Sequence, residues 1–314
     1  MKFSVLRELT SHFSPPTTAE AQSRLLKYLQ SEGLDISNFY QELEMSSAYV
    51  DTHQDVSYSA QMLSLHSHAF WEILFCCSCQ NMEYLVGTQR YKLQPGDVII
   101  VAPGVSHKPL FPETMEVPYK RYVLWLSPAF LELMGSLVPE SARADFPPFS
   151  LLRTAGSQWK YLEDMFHAGV KEAERRQPNY EAAVLGNTVT LLTHITRAFL
   201  SQGAKHSRAE KPELLDRVLS YIEARLSQRI TLEETARHFF VSESTIQQTF
   251  RQKLGTSFYR CVTQRRLIAA KTMIAQGMSL EGVARAVGFS DYSSFYRAFK
   301  KEYGITPRQF TRLQ

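Results

Sequence analysis

His66, His68 and Glu72 are spaced so that, on an extended strand, all three side chains project from the same face. Two imidazoles and a carboxylate gathered there can ligate a metal and support catalysis. They can equally supply polar groups to a ligand pocket, or be buried groups whose hydrogen bonds are satisfied within the fold. Cys76 has the parity of that face, whereas Cys77 and Cys79 have the opposite one. Thiol or soft-metal sensing is one use of such a cluster. Service as a small buried hydrophobe is the simpler one.

The elements that must carry these residues are short. Apolar runs at 70–77 and 97–101, the segments 83–86 and 89–93 around Gly87-Thr88, and the stretch 119–126 read as strands. Gly and Pro punctuate them, which predicts an antiparallel sandwich or barrel rather than a parallel sheet. Helices are predicted at 17–32, at 128–134, and at 157–175 and 179–200, the last pair broken at Gln177-Pro178-Asn179. In the last helix Val184, Leu185, Leu191, Leu192, Ile195 and Phe199 form one apolar stripe.

The 314 residues suit two domains, and a hydrophobic share of 44% is enough for a real core, which excludes general disorder. No apolar run approaches a membrane span, the N-terminus lacks a signal-peptide pattern, and four cysteines make no disulfide framework. The expectation is a cytoplasmic protein without a membrane partner. The formal net charge of +4 is unevenly placed: residues 207–314 carry +8 and residues 1–206 carry −4. A basic third on an acidic body is a weak footprint of nucleic-acid binding.

That basic third reads as helix almost throughout and contains a repeat. Thr231-Leu232-Glu233 matches Ser279-Leu280-Glu281, Ala236-Arg237 matches Ala284-Arg285, and Ser242-Glu243 matches Ser290-Asp291. After one inserted residue, Ile246, Phe250 and Gly255 match Phe295, Phe299 and Gly304. Each copy is a short helix, a tight turn and a second helix, the geometry of a helix-turn-helix. A long helix over 257–276 joins the copies. Ala236, Ile246, Phe250, Ala284, Phe289, Phe295 and Phe299 are assigned to the core. The polar residues between them face outward: Ser244, Thr245, Gln247, Gln248 and Arg251 in one helix, Tyr292, Ser293, Tyr296, Arg297 and Lys300 in the other. Gln pairs bidentately with adenine and Arg with guanine, so Gln247, Gln248 and Arg297 are the leading base readers. Arg251, Lys300, Lys301, Arg265 and Arg308 are assigned to phosphates. Any one of these side chains could equally be plain solvated surface.

The run from Gly288-Phe289-Ser290-Asp291 through Phe295, Phe299-Lys300-Lys301 to Gly304-Ile305-Thr306-Pro307 resembles the signature of AraC/XylS-type transcription regulators. The resemblance covers about residues 212–312. It implies double-stranded DNA as a partner, a homodimer, RNA polymerase as a further partner if the protein activates, and no enzyme activity.

His66-Ser67-His68-Ala69-Phe70-Trp71-Glu72 also resembles the first cupin motif, and Pro103-Gly104-Val105-Ser106-His107 the core of the second. The glycine that usually follows the Glu is missing, with Cys79-Gln80-Asn81 in its region. The resemblance brings His107 from a neighbouring strand to His66, His68 and Glu72, a set suited to Fe, Mn or Zn. Related regulators use this region to bind an organic effector without metal. His66, His68, Glu72 and His107 are therefore effector-binding candidates first and metal ligands second, with no cofactor expected. Carbon-source regulators are common in the family, which points to a sugar or sugar derivative.

The fold class expected is α+β and multidomain. A helical extension occupies 1–50, a cupin-like β-barrel 51–135, a helical dimerisation segment 136–200 and a linker 201–211. An all-α DNA-binding domain follows at 212–314, with helix-turn-helix units near 231–254 and 279–303. Intramolecular packing is the alternative role for the helices at 157–200.

Overall fold

A computed structural model describes residues 45, 47–57, 65–112, 114–137, 149–202 and 212–312. The helix expected at 17–32 and most of the expected linker lie outside them. The strands are β1 (Val50–Ser57), β2 (Trp71–Ser78), β3 (Glu83–Val86), β4 (Gln89–Lys92), β5 (Asp97–Val101), β6 (His107–Leu110), β7 (Tyr119–Leu126) and β8 (Phe149–Arg153). All five segments read as strands in the sequence are present, and β1, β6 and β8 are additional. Helix α1 spans Pro128–Leu137, α2 Leu162–Arg175 and α3 Tyr180–Gln202.

The strands pair antiparallel in two sheets, a five-stranded one in the order β1-β7-β2-β5-β8 and a three-stranded one in the order β4-β3-β6. Gly87, at φ +56°, makes the expected two-residue turn between β3 and β4. The large sheet is covered on both sides, which is why β5 is buried along its whole length. Ile73, Phe75, Val98, Ile100, Tyr122 and Leu124 pack against Phe166 and Val170 of α2 and Leu191 and Ile195 of α3. The opposite parity, Leu74, Cys76, Ile99, Val123 and Trp125, shares a second core with Tyr84 and Val86 of the small sheet. The apolar face of α2 and α3 is thus already used within the chain. Among the described residues the two sheets do not close into a barrel. The isolated bridge between His66 and His107 pairs the segment before β2 with β6 of the small sheet.

The cysteines depart from simple alternation. A register shift between Cys76 and Ser78 turns the end of β2, so Cys79 packs on the same core as Cys76 while Cys77 faces the helices. The expectation that Cys79 points away from Cys76 is corrected by that bulge.

The C-terminal third is helical, as expected: α4 (Leu214–Glu223), α5 (Leu232–Phe239), α6 (Glu243–Leu254), α7 (Phe258–Ala275), α8 (Leu280–Ala286), α9 (Tyr292–Tyr303) and α10 (Pro307–Thr311). Its boundaries follow from side chains that satisfy the first free N–H groups of each helix. Thr231, Ser242, Ser257, Ser279 and Thr306 accept from the third residue onward, and Asp291 does so for α9. Gly255 and Gly304 end α6 and α9 in the left-handed conformation. In the corresponding place after α5 stands Phe240, at φ +56° and 96% exposed.

These helices form two cores. One holds Leu215, Val218, Leu219 and Ile222 of α4, Ile246, Phe250 and Leu254 of α6, and Phe258, Cys261 and Val262 of α7, together with Leu65, Leu85 and Leu110 from the N-terminal half. The other holds Leu267, Ala270 and Ile274 of α7, Val283, Ala284, Phe295, Phe299, Tyr303 and Phe310. Each helix-turn-helix unit therefore has its own core, and α7 contributes to both.

Candidate nucleic-acid interface and histidine cluster

The duplicated units present their second helices in the same way. In α6 the stripe Ile246, Phe250, Leu254 is buried, and Ser244, Thr245, Gln247, Gln248 and Arg251 are exposed. In α9 Phe295, Phe299 and Tyr303 are buried, Ser293, Arg297, Lys300 and Lys301 are exposed, and Tyr292 and Tyr296 are half-buried. The proposed readers thus lie on the open faces of both helices, with their backbones fixed by the cores behind them. A cavity of about 140 Å³ beside α6 is lined by Gln247 and Arg251 together with Leu232, Ser257, Phe258 and Tyr259. The Tyr259 hydroxyl there accepts the N–H of Leu232, tying the start of α5 to α7.

One assignment is corrected. Arg265 is not available to a phosphate: it is 2% exposed, and its guanidinium donates to Glu223 Oε2 at 2.7 Å and to the Gly87 carbonyl at 2.7 Å. It sits on the apolar stripe of α7 between Cys261 and Ile268, a spacing of four and three that the sequence displays. Arg308 is exposed and keeps its assignment.

His66, His68, Glu72 and His107 come together. One potential ligand atom from each lies within 4.8 Å of the others, and all four residues are buried. Glu72 Oε1 accepts the indole N–H of Trp125 at 2.8 Å, and Oε2 lies 3.0 Å from His107 Nε2 and 3.8 Å from His68 Nε2. On the far side of the rings, His68 Nδ1 meets the Phe70 carbonyl at 2.8 Å and His107 Nδ1 the Val105 carbonyl at 2.9 Å. A carbonyl accepts only from an N–H, so each ring carries a proton on Nδ1 and turns Nε2 to the cluster, and the bond between His107 Nε2 and Glu72 Oε2 requires a further proton between those two atoms. His68 Nε2 has no hydrogen-bond partner among the described residues. Burial pushes His68 below its ordinary pKa despite the nearby carboxylate. Burial works against the charge of Glu72 too, but the bond with His107 and the nearby ring of His68 outweigh it and hold the carboxyl well below the usual range.

Sequence reasoning missed Trp125, which pairs with Glu72 across β2 and β7. It also missed Arg90 and Lys108, buried cations that reach the helical third. Neither signal exists before strand register and domain packing are known.

Residues 235–313 match the family described as a helix-turn-helix domain. The HTH-type transcriptional activator RhaS of Salmonella dublin is 25% identical over 252 residues, covering 77% of this chain and 85% of its own. The regulatory protein PocR of Salmonella typhimurium is 29% identical over 113 residues, or 35% of this chain and 37% of its own. The C-terminal third carries an AraC-type helix-turn-helix domain. That domain is the DNA-binding part, and the match to RhaS runs well beyond it. Among solved structures, the C-terminal domain of AraT, a response regulator from Geobacillus stearothermophilus, aligns at 30% identity and a TM-score of 0.32. That alignment covers 33% of this chain and 87% of that one. No described helix is long and apolar enough to cross a membrane.

Proposed function

We propose that this chain is an AraC-type regulator of transcription that reads double-stranded DNA through two successive major-groove segments, one met by α6 and the other by α9. The observation that carries the reading is the shared parity of the two helices. Each buries its Phe/Ile stripe in a separate core and leaves a polar face of base-reading residue types outward. Gln247, Gln248 and Arg297 read base edges, with Ser244, Thr245, Tyr292, Ser293 and Tyr296 beside them. Arg251, Lys300, Lys301 and Arg308 meet phosphates, which set register and affinity but not sequence. The proposed work is binding alone, with no catalytic step.

The N-terminal half is the proposed sensor, with His66, His68, Glu72 and His107 as polar groups of its effector site. A small polar metabolite such as a sugar suits such groups, and a homodimer would place four helix-turn-helix units on paired half-sites. An activator of this kind would act on RNA polymerase. Footprinting of the protein on DNA upstream of its own and neighbouring genes, with and without candidate metabolites, tests the reading. A protected site whose occupancy shifts with one metabolite supports it, and no protected site under any condition overturns it.

The arrangement of the rings favours a second reading for the same cluster. Carbonyls hold the Nδ1 protons of His68 and His107, the orphaned His68 Nε2 is turned inward, and Glu72 supplies an anion. These residues fit a divalent transition metal held by His66, His68, Glu72 and His107, which would supply a fixed positive charge at the sensor's centre. Zinc titration followed by Trp125 fluorescence, with metal content measured directly, decides this. Stoichiometric binding lost in His68→Ala supports a metal sensor, and sub-stoichiometric metal in the wild type removes it.

A further inference from the structure

The small sheet is a wall one strand thick between the histidine cluster and the first helix-turn-helix unit. Strand β6 is buried along its whole length because both of its faces are covered. His107 turns one way, into the cluster, and Lys108, the next residue, turns the other. The Lys108 ammonium donates to the Leu254 carbonyl at 2.7 Å. Leu254 is the last residue of α6, so this carbonyl has no partner within its helix and lies at the negative end of the helix dipole.

The surroundings make that contact part of a built junction. Leu65, Leu85 and Leu110 share the core of α4, α6 and α7. Arg90 of β4, 1% exposed, grips Asp216 of α4 with Nε at 2.9 Å and Nη2 at 3.0 Å. It also reaches Glu83 at 2.6 Å and Glu213 at 3.2 Å. From the helical side Arg265 donates to the Gly87 carbonyl in the β3–β4 turn. No residue of the two sheets belongs to the core of the second helix-turn-helix unit. The N-terminal half therefore holds one recognition helix and leaves the other to its own unit.

We propose that Lys108 is a positioning residue for DNA reading, fixing the C-terminal end of α6, and that β6 is the link by which the cluster around His107 acts on that helix. The proposal rests on α6 being a DNA reader for its consequence, but not for its geometry. A change in the cluster moves His107. The same peptide unit carries Lys108, whose ammonium is bonded to the reading helix. The second unit feels the change less directly, through α7 and the packing of Gly288 against the Leu226 carbonyl.

Amide hydrogen exchange on the full chain, free of DNA, tests the geometry without relying on the DNA reading. Lys108→Met keeps the stem and removes the donor. It should speed exchange of amides 251–256 about tenfold, the loss expected for one charge-assisted hydrogen bond, while amides 295–304 keep wild-type rates. Lys108→Arg should restore most of the protection. Glu72→Gln in the cluster should perturb the same α6 amides, and that perturbation should vanish in the Lys108→Met background. If Lys108→Met does not fold, Lys108→Gln, with an N–H donor on a shorter stem, should give the same pattern at smaller amplitude.

Unchanged α6 exchange in the Lys108 variants, or equal changes in both units, overturns the positioning role. A Glu72→Gln effect that persists without Lys108 overturns the link. The functional arm uses a duplex enriched from random DNA by the wild-type protein. Lys108→Met should lose protection over the segment met by α6 and keep it over the segment met by α9. Uniform loss over both segments counts against the proposal. A wild-type protein that enriches no sequence counts against the DNA reading instead, and leaves exchange to decide the positioning.

Discussion

Replacing Lys301 by Ala should weaken DNA binding without changing which sequence is preferred. Lys301 is exposed in the last turn of α9 and takes no part in the core behind it. With Arg265 buried, the proposed phosphate contacts of one chain are Arg251, Lys300, Lys301 and Arg308. At about 0.9 counterion released per phosphate, four contacts give a log–log salt slope near −3.6, and affinity falls roughly 150-fold between about 50 and 200 mM salt. Without Lys301 the slope becomes about −2.7 and the same change of salt costs only roughly 40-fold. Fluorescence anisotropy on a preferred and a scrambled duplex, across a salt series, measures both slopes. Gln247→Ala sets the contrast: it should cost about 1–3 kcal/mol at one base position and leave the slope alone. An unchanged slope in Lys301→Ala, or a loss confined to the preferred duplex, would refute the assignment of Lys301 to phosphate. Arg265→Ala should lower folding stability and leave the slope unchanged, because its partners are Glu223 and Gly87.

Phe299→Ala removes a fully buried ring from the core of the second unit. It should cost about 3–5 kcal/mol in urea unfolding, and a loss under about 1 kcal/mol would mean that the ring is not packed as described. Gly288→Ala places a Cβ 2.1 Å from the Leu226 carbonyl at a backbone φ of +84°. A cost above roughly 1–3 kcal/mol from the backbone conformation alone is expected, and a neutral melting temperature would contradict this packing. Glu72→Gln should be less stable than wild type at neutral pH, since Glu72 loses its charge-assisted bonds to Trp125 and His107. The folded-state pKa of Glu72 lies below its ordinary 4.5, so its contribution is complete above that value and is lost as the pH falls through the folded value. Urea midpoints of the two proteins should therefore converge on acidification, and a gap that stays constant well below pH 4.5 would show that the carboxylate is not the source.

The helical third was legible because its signals are local. Thr231, Ser242, Ser257 and Ser279 each mark a helix start, and Gly255 and Gly304 each mark a stop. The additional strands lack such signals. The composition of β1, Val-Asp-Thr-His-Gln-Asp-Val-Ser, is too polar to stand out, yet it sits at a sheet edge where half-exposure is tolerated. In β6 a Lys and a Pro argue against a strand, but Lys108 finds a carbonyl across the junction and Pro109 lies at the edge of its sheet. The four cluster residues were legible as types and parity. Their second ring bonds, to the carbonyls of Phe70 and Val105, depend on loop conformations that no pattern encodes. The bond of Arg90 to Asp216 spans 126 residues and is invisible before the halves meet.

The division of the helical third into two cores bears on how the molecule can be taken apart. The polar stretch at 201–211 looks like the natural place to separate DNA binding from sensing. A cut there splits one hydrophobic core, because Leu65, Leu85 and Leu110 stay behind while Leu215, Val218 and Leu254 are laid bare. A fragment starting at 212 is expected to carry an adhesive apolar patch and to self-associate, however well its DNA-facing residues are preserved. The two cores meet inside α7, where Phe258, Cys261, Val262 and Ile268 serve one unit and Leu267, Ala270 and Ile274 the other. That seam runs through an unbroken helix, so modularity in this chain follows its interior rather than its loops.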